Sequence, residues 1–307
     1  MSHNNLTATA TMDGTALPVR KERRESLWHD IVDGVSSNKA SLVSFWFIVA
    51  LAVIAIVTKL FPQVLPFDPY TQDLSASLQA PSATHWFGTD IQGYDIFSRV
   101  LVGTQISLTV GFAAVAISLT IGVILGSIAG YKGGIADTVI MRIMDMMLAI
   151  PSILLAIAFM AAMGKGIEKA VIAIGLVAIP EYARIVRSEI LSIKENDYVA
   201  AAHVIGDSNF AIVFRHVLPN VLPSIIVRAT LGISSAILDT AALGFLGLGV
   251  QPPLAEWGSM LGIGRQYIFQ EPWLMFFPGF AIMLTVLAFN LLGDGLRDGL
   301  DPKSRKR

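Results

Sequence analysis

Residues 198–220 read YVAAAHVIGDSNFAIVFRHVLPN, in the middle of a polar-edged stretch, 184–220, that interrupts an otherwise membrane-grade chain. Asp197 stands where an N-cap is wanted, and Tyr198–Ile205 then forms a helix of roughly 12 Å at about 1.5 Å per residue. Gly206 follows where a left-handed residue closes such a helix. A second helix comes next, and Pro219 returns the chain to an apolar run. Ala200, Ala201 and Ala202 keep the first helix small-sided, so a groove on another protein can approach its backbone closely.

The rest of the chain makes that interruption informative. Of 307 residues, 54% are hydrophobic and only 15% charged, with mean hydropathy +0.64. Those values exclude an ordinary soluble domain and predict an all-α integral membrane protein. The formal net charge of −1 points to no nucleic-acid partner. Zero cysteines remove disulfides, thiolate metal sites and cysteine nucleophiles together. The first forty residues lack the apolar core of a cleavable leader, so the first apolar segment is expected to stay as a span.

Six segments approach or exceed the roughly 20 residues needed to cross a hydrocarbon core, namely 41–61, 105–130, 139–162, 167–183, 221–246 and 274–296. A tail, 1–40, precedes them. Its first 18 residues are expected to be irregular, and Leu27, Trp28, Ile31, Val32 and Val35 have the spacing of a helix on the membrane surface, with a solvated basic tail as the alternative. The loop 62–104 carries Pro62, Pro66, Pro69 and Pro81, which discourage regular structure. The core 105–296 contains the loop 184–220, and a short tail, 297–307, ends the chain. With the N-terminus inside, sixteen Lys and Arg face the cytoplasm against five outside. The positive-inside rule therefore puts both termini and the 198–220 knob in the cytoplasm.

Within the spans, Gly122, Gly126 and Gly130 line one helix face and predict close helix packing. Pro151 and Pro180 are expected to kink or stop their helices. Arg142 and Asp145 have the spacing of an ion pair within one helix. Asp239 lies about 18 residues into the fifth span, roughly 27 Å along it, near the outer end. An intramembrane carboxylate is a candidate for the translocation path, with pairing to a neighbouring helix as the alternative.

Catalytic patterns are missing. Gly164-Lys165 lacks the glycine spacing and following hydroxyl of a phosphate loop. There is no His-Glu-x-x-His and no Gly-x-Ser-x-Gly, and the histidines at 3, 29, 85, 203 and 216 are scattered, so neither a catalytic set nor a metal site is expected. Such a chain reads as a conduit moved by something else.

Ala201, Ala202, Gly206, Leu218 and Pro219 resemble the cytoplasmic-loop signature of importer permeases of the ATP-binding-cassette class. In that signature Glu-Ala-Ala is followed by three residues, Gly, nine residues, an aliphatic, one residue, Leu and Pro. Ala200 stands where Glu is usual and His216 where Ile is usual. The ending RHVLPN over 215–220 is similar to the peptide and nickel branch. HWFGTD over 85–90, with Gly93, Asp95, Ser98 and Arg99, resembles a block of the peptide permeases in which Tyr94 replaces a customary Arg. ILDTAALGFLGLG over 237–249, Gln251-Pro252-Pro253, Glu256-Trp257-Gly258 and FNLLGDGLRD over 289–298 resemble the dipeptide permeases.

The resemblance spans roughly residues 27–303 and implies a six-span importer-permease fold in the bacterial inner membrane. Implied partners are a second permease, two cytoplasmic ATPase subunits that bind the ATP, and an extracytoplasmic binding protein. The helix carrying Tyr198, Ala201 and Ala202 would be the coupling helix docked in an ATPase groove, with Gly206, Leu218 and Pro219 completing its motif. The implied cargo is dipeptides or short peptides, with nickel or longer peptides as the alternative inside the family. A passive channel or a membrane-embedded enzyme are the readings from other classes. The first needs no docking loop, and the second needs an ionisable pair at one depth.

Overall fold

The computed structural model describes residues 27–300 and, ahead of them, a short antiparallel ribbon of Thr7–Thr9 with Leu17–Val19. Most of 1–18, the basic cluster at 20–24 and the tail from 301 lie outside the described residues. From residue 27 onward the regular elements are helices. The surface-spaced segment is helix α1, Leu27–Ser37, and it docks on the last helix of the chain through Gly34, where an added Cβ would sit 2.7 Å from both Gly295 O and Gly299 Cα.

Helix α2 spans Lys39–Leu60 and α3 spans Ile96–Lys132. The third apolar segment is not one kinked span. It is α4, Gly134–Leu148, and α5, Ser152–Met163, bent by 94° at the break. Pro151 sits at that break, lacks an N–H to continue the ladder, and disfavours helical geometry at Ile150. Helix α6 covers Ile167–Ile193 and runs through Pro180 instead of ending there. Its packing against α3 outweighs the one lost hydrogen bond. After α7, Asp197–Ile205, the short α8, Asn209–Ala211, passes through a π-helical turn, Ile212–Val217, into α9, Leu218–Phe245. Helices α10, Trp257–Gly264, and α11, Trp273–Leu300, complete the fold.

Four helical runs are long and apolar enough to cross a membrane: α2, α3, the continuous Asn209–Phe245, and α11. The α4–α5 pair makes a fifth if counted as one broken span. Helix α6 has the length but not the composition. Glu168 and Lys169 open it, and Glu181, Arg184, Arg187 and Glu189 occupy its second half.

The glycine stripe of α3 lies on α6. A Cβ on Gly122 would meet Tyr182 Cβ at 2.5 Å, one on Gly126 would meet Ala183 O at 2.5 Å, and one on Gly130 would meet Arg187 O at 3.0 Å. Two backbones therefore touch where side chains would hold them apart. Charged side chains lock α6 in turn to α4. Arg187 forks onto Asp137, with Nε–Oδ1 at 2.5 Å and Nη2–Oδ2 at 2.6 Å, and Arg184 reaches Asp145 at 2.5 Å. Asp145 thus pairs across to α6 and not with Arg142 on its own helix, because the close α3–α6 packing carries the α6 arginines within reach.

The loop before α3 is built by the HWFGTD block. Asp95 caps α3, its Oδ2 accepting from Ser98 N–H at 2.8 Å, while Oδ1 holds His85 Nδ1 at 2.9 Å. That cap starts α3 nine residues before the apolar run at 105. Buried Arg99 then donates to the carbonyls of Pro69 (2.9 Å), Pro253 (3.2 Å) and Leu254 (3.4 Å), with its guanidinium 4.4 Å from the Tyr94 ring centroid. One side chain so ties two loops to α3. Trp257 adds a third link, donating Nε1–H to Val100 O at 2.9 Å over the flat surface left by Gly103.

Glu256 caps α10, its carboxylate accepting from Gly258 N–H (2.7 Å) and Ser259 N–H (2.8 Å). Burial pushes this carboxyl from 4.5 up to about 7, against the opposing pull of those two donors. A raised acid binds more protons folded than unfolded. Its contribution is therefore full below about 4.5 and lost as pH rises through about 7. The size is about 3 kcal/mol at most, at about 1.4 kcal/mol per unit. Thermal unfolding of the purified protein in detergent should show stability falling between about pH 4.5 and pH 7, and Glu256→Gln should flatten that fall. An equal slope in the variant would refute the assignment.

Candidate functional site

The knob at 197–220 has an inner face and an outer one. Val199 (1% exposed) and Ala202 (5%) pack into a cluster with Val186, Ile190, Ile212, Val217, Val221 and Ile225. They anchor α7 to the end of α6 and the start of α9. Ala200 and Ala201 point away from that cluster, together with Tyr198, Val204 (88% exposed) and Ile205 (83%). The three alanines therefore have two jobs: Ala202 holds the knob to its own protein, while Ala200 and Ala201 lie on the open face.

Both ends of α7 are fixed by hydrogen bonds. At the start, the Asn196 carbonyl accepts from Val199 N–H (3.0 Å) and Ala200 N–H (3.3 Å), and Asn196 has the extended φ −77° and ψ 144° of a cap. The cap is Asn196, not Asp197. Its own amide turns back to Ile193 O at 3.0 Å instead of capping. The third helical position is consequently buried Val199, so Ala200 lies one residue beyond the place where a Glu would close a capping box. At the far end Gly206 takes φ +94°. Gly206 N–H reaches His203 O and Asp207 N–H reaches Ala202 O, each at 3.1 Å, which together form a Schellman closure.

The departures from the family signature have local partners. His216 Nε2 meets Asp207 Oδ2 at 3.0 Å, fastening the helix exit to the π-helical turn. His203 Nε2 lies 3.2 Å from the Tyr131 hydroxyl, which donates to Asn209 Oδ1 at 3.1 Å. Asn220 donates to the Tyr198 hydroxyl at 3.3 Å and to His216 O at 2.7 Å. Leu218 is half-buried and Pro219 exposed at the first turn of α9. The knob is a braced, outward-facing apolar helix.

A second feature lies within the helices. Glu181, Tyr182, Arg228, Gly232, Ser235 and Asp239 are among the walls of a cavity of about 300 Å³ between α3, α6 and α9. Arg228 pairs with Glu181, and Asp239 sits partly buried at the cavity wall six residues before the end of α9. Glu181 was not legible as a site residue, because its partner comes from a helix far along the chain. Arg228, an arginine inside an apolar run, was the signal that could have found it. Among the described residues no group of three or more His, Cys, Asp or Glu is placed to hold a metal ion.

A braced apolar helix thus projects from a bundle of apolar helices that encloses a charged cavity, the arrangement of an integral membrane protein with a docking surface. The chain belongs to the family described as binding-protein-dependent transport system inner membrane components, whose profile matches residues 122–306. Residues 26–81 match the N-terminal transmembrane domain of oligopeptide transport permease C. A dipeptide transport system permease protein, DppC, of Alkalihalophilus pseudofirmus is 50% identical over 281 residues, 91% of each chain. A probable D,D-dipeptide transport system permease protein, DdpC, of Escherichia coli is 51% identical over 243 residues, 79% of this chain and 82% of the relative. The oligopeptide transport permease OppC of Bacillus subtilis is 42% identical, covering 92% of this chain and 91% of its own. Among solved structures, a chain of the inward-facing MetNI methionine ABC transporter superposes with TM-score 0.56 at 21% identity, covering 67% of this chain and 98% of its own. That likeness establishes a shared fold.

Proposed function

We propose that this chain is one of two permease subunits of an ATP-driven importer that carries dipeptides or short peptides across the bacterial inner membrane. In this reading α6 and the broken α4–α5 pair are also crossings, which with α2, α3, α8–α9 and α11 makes six. Both termini and α7 face the cytoplasm, in keeping with the excess of Lys and Arg on those segments. ATP is bound and hydrolysed by two separate subunits, a binding protein delivers the cargo from outside, and a second permease completes the pathway. The chain itself carries no catalytic or cofactor site.

The observation that carries the coupling role is the exposure of Val204 and Ile205 on a helix whose inner face is buried and whose ends are hydrogen-bonded. An apolar surface held that rigidly suits a groove on a partner. Closure of the ATPase pair would move α7, and the packed α6 and α9 would pass the motion to the membrane helices. Tyr198, Ala201, Ala202, Gly206, Leu218 and Pro219 serve this coupling, and Asp239 lies on the translocation path. The relatives named for dipeptide transport favour small peptides, and the 42% identity to an oligopeptide permease supports longer ones as the second reading. The assembled importer in proteoliposomes should take up radiolabelled Ala-Ala only with ATP and binding protein present. Stronger competition by pentapeptides than by dipeptides would favour the second reading, and absence of any peptide uptake would overturn both.

A further inference from the structure

Asp239 is the unbalanced charge of the membrane cavity. Of the three charged residues lining it, Glu181 and Arg228 are paired with each other. Among the described residues Asp239 has no hydrogen-bond or ion-pair partner, so in its ionised form it leaves the cavity one negative charge. A carboxylate inside a membrane protein is costly unless something cationic meets it.

The opposite lack lies deeper in the same cavity. Arg228 Nε is a buried donor with no hydrogen-bond partner, and the Tyr182 hydroxyl, beside Ser118 in the same wall, keeps an O–H that can donate into the cavity. Tyr182 Oη lies against Gly232, which shares the cavity-facing side of α9 with Arg228, Ser235 and Asp239 at intervals of four, three and four residues. Seven residues of helix separate Gly232 from Asp239, roughly 10 Å. Two or three extended peptide residues span about 7–11 Å. The cavity thus presents an acceptor at its outer end and the Tyr182 hydroxyl deeper in, at the separation of the two ends of a short peptide, with Arg228 about 16 Å along α9 from Asp239 and beyond that span.

Resting on the peptide-importing function above, we infer that Asp239 receives the α-ammonium group of the transported peptide, whose carbonyl or carboxylate end points toward Tyr182. A metal ion is the poorer occupant, because one carboxylate without neighbouring ligating side chains makes a weak site. A primary ammonium needs only one carboxylate and nearby hydroxyls, and Ser235 stands one turn away. The small residues Gly232 and Ser235 leave the floor between the two ends open.

The test uses the complete importer in proteoliposomes with radiolabelled Ala-Ala, measuring peptides imported per ATP hydrolysed. Asp239→Asn, which keeps the shape and removes the charge, should lower that ratio about tenfold or more, as expected for loss of a charge-assisted hydrogen bond. Asp239→Glu should retain most of it. An unchanged ratio in Asp239→Asn would overturn the assignment, as would an equal loss in Asp239→Glu, which marks a merely structural role. If the unmodified importer takes up no Ala-Ala, the peptide function fails first and the ammonium site falls with it, a result visible without either variant.

Discussion

Replacing Val204 and Ile205 together by aspartate is expected to reduce ATP-driven uptake at least 100-fold while the permease still inserts and folds. Both side chains are almost fully exposed, at 88% and 83%, so their loss removes no packing inside this chain. In the docked complex they would lie in a groove, and a carboxylate forced into an apolar groove costs several kcal/mol. About 1.4 kcal/mol accounts for each factor of ten, so two such groups exceed the loss required. Gly206→Pro attacks the same unit from the backbone. Proline cannot take φ +94° and lacks the N–H that reaches His203 O, so the Schellman closure is lost and uptake should vanish with insertion preserved. Normal uptake in the double aspartate variant would remove α7 from the coupling mechanism.

The second large effect falls on folding. Gly126→Leu should abolish recovery of folded permease, because its first side-chain carbon would already stand 2.5 Å from Ala183 O and 2.9 Å from Val186 Cβ. The nearest atom is backbone and cannot rotate away. Helices α3 and α6 would have to separate, also loosening the Arg187–Asp137 and Arg184–Asp145 links that hang on their alignment. Overpacking of this kind costs about 3 kcal/mol or more where the neighbour cannot yield. Gly130→Ala is the internal comparison. Its new carbon would meet Arg187 O and Ile190 Cβ at 3.0 Å, half an ångström farther than the closest contact at Gly126, so a shift of a few tenths of an ångström is all it asks and the loss should be milder. Size-exclusion profiles and thermal unfolding in detergent measure both. Equal behaviour of the two variants would contradict the packing account.

Local signals reached the sequence reading well, and long-range ones did not. The α7 helix, its left-handed Gly206 and the Gly122–Gly126–Gly130 stripe were visible because each depends on neighbours within a turn or on one helix face. The cap of α7 was displaced by one residue, since Asn and Asp are equally good caps and only the backbone decided for Asn196. Asp145 was matched to Arg142, the nearest cation in sequence, whereas the fold brings Arg184 from another helix. The near-perpendicular α4–α5 break exceeded the kink that Pro151 suggested, because the proline marks where a helix stops and the packing sets the direction in which the chain resumes. Tyr182, Glu181 and Arg228 joined Asp239 around one cavity only once α6 and α9 were side by side.

The absence of cysteine from the chain makes one measurement decisive for the coupling role. A single Val204→Cys permease, assembled with its partners and treated with a short thiol-to-amine cross-linker, carries its only thiol at the tip of α7. Phe269→Cys, 93% exposed in the loop between α10 and α11, is the control, since the proposed topology puts it across the membrane from α7. The account predicts an ATPase adduct from residue 204 and none from 269. An adduct from 269, or none from 204 in an importer that still transports, would contradict it.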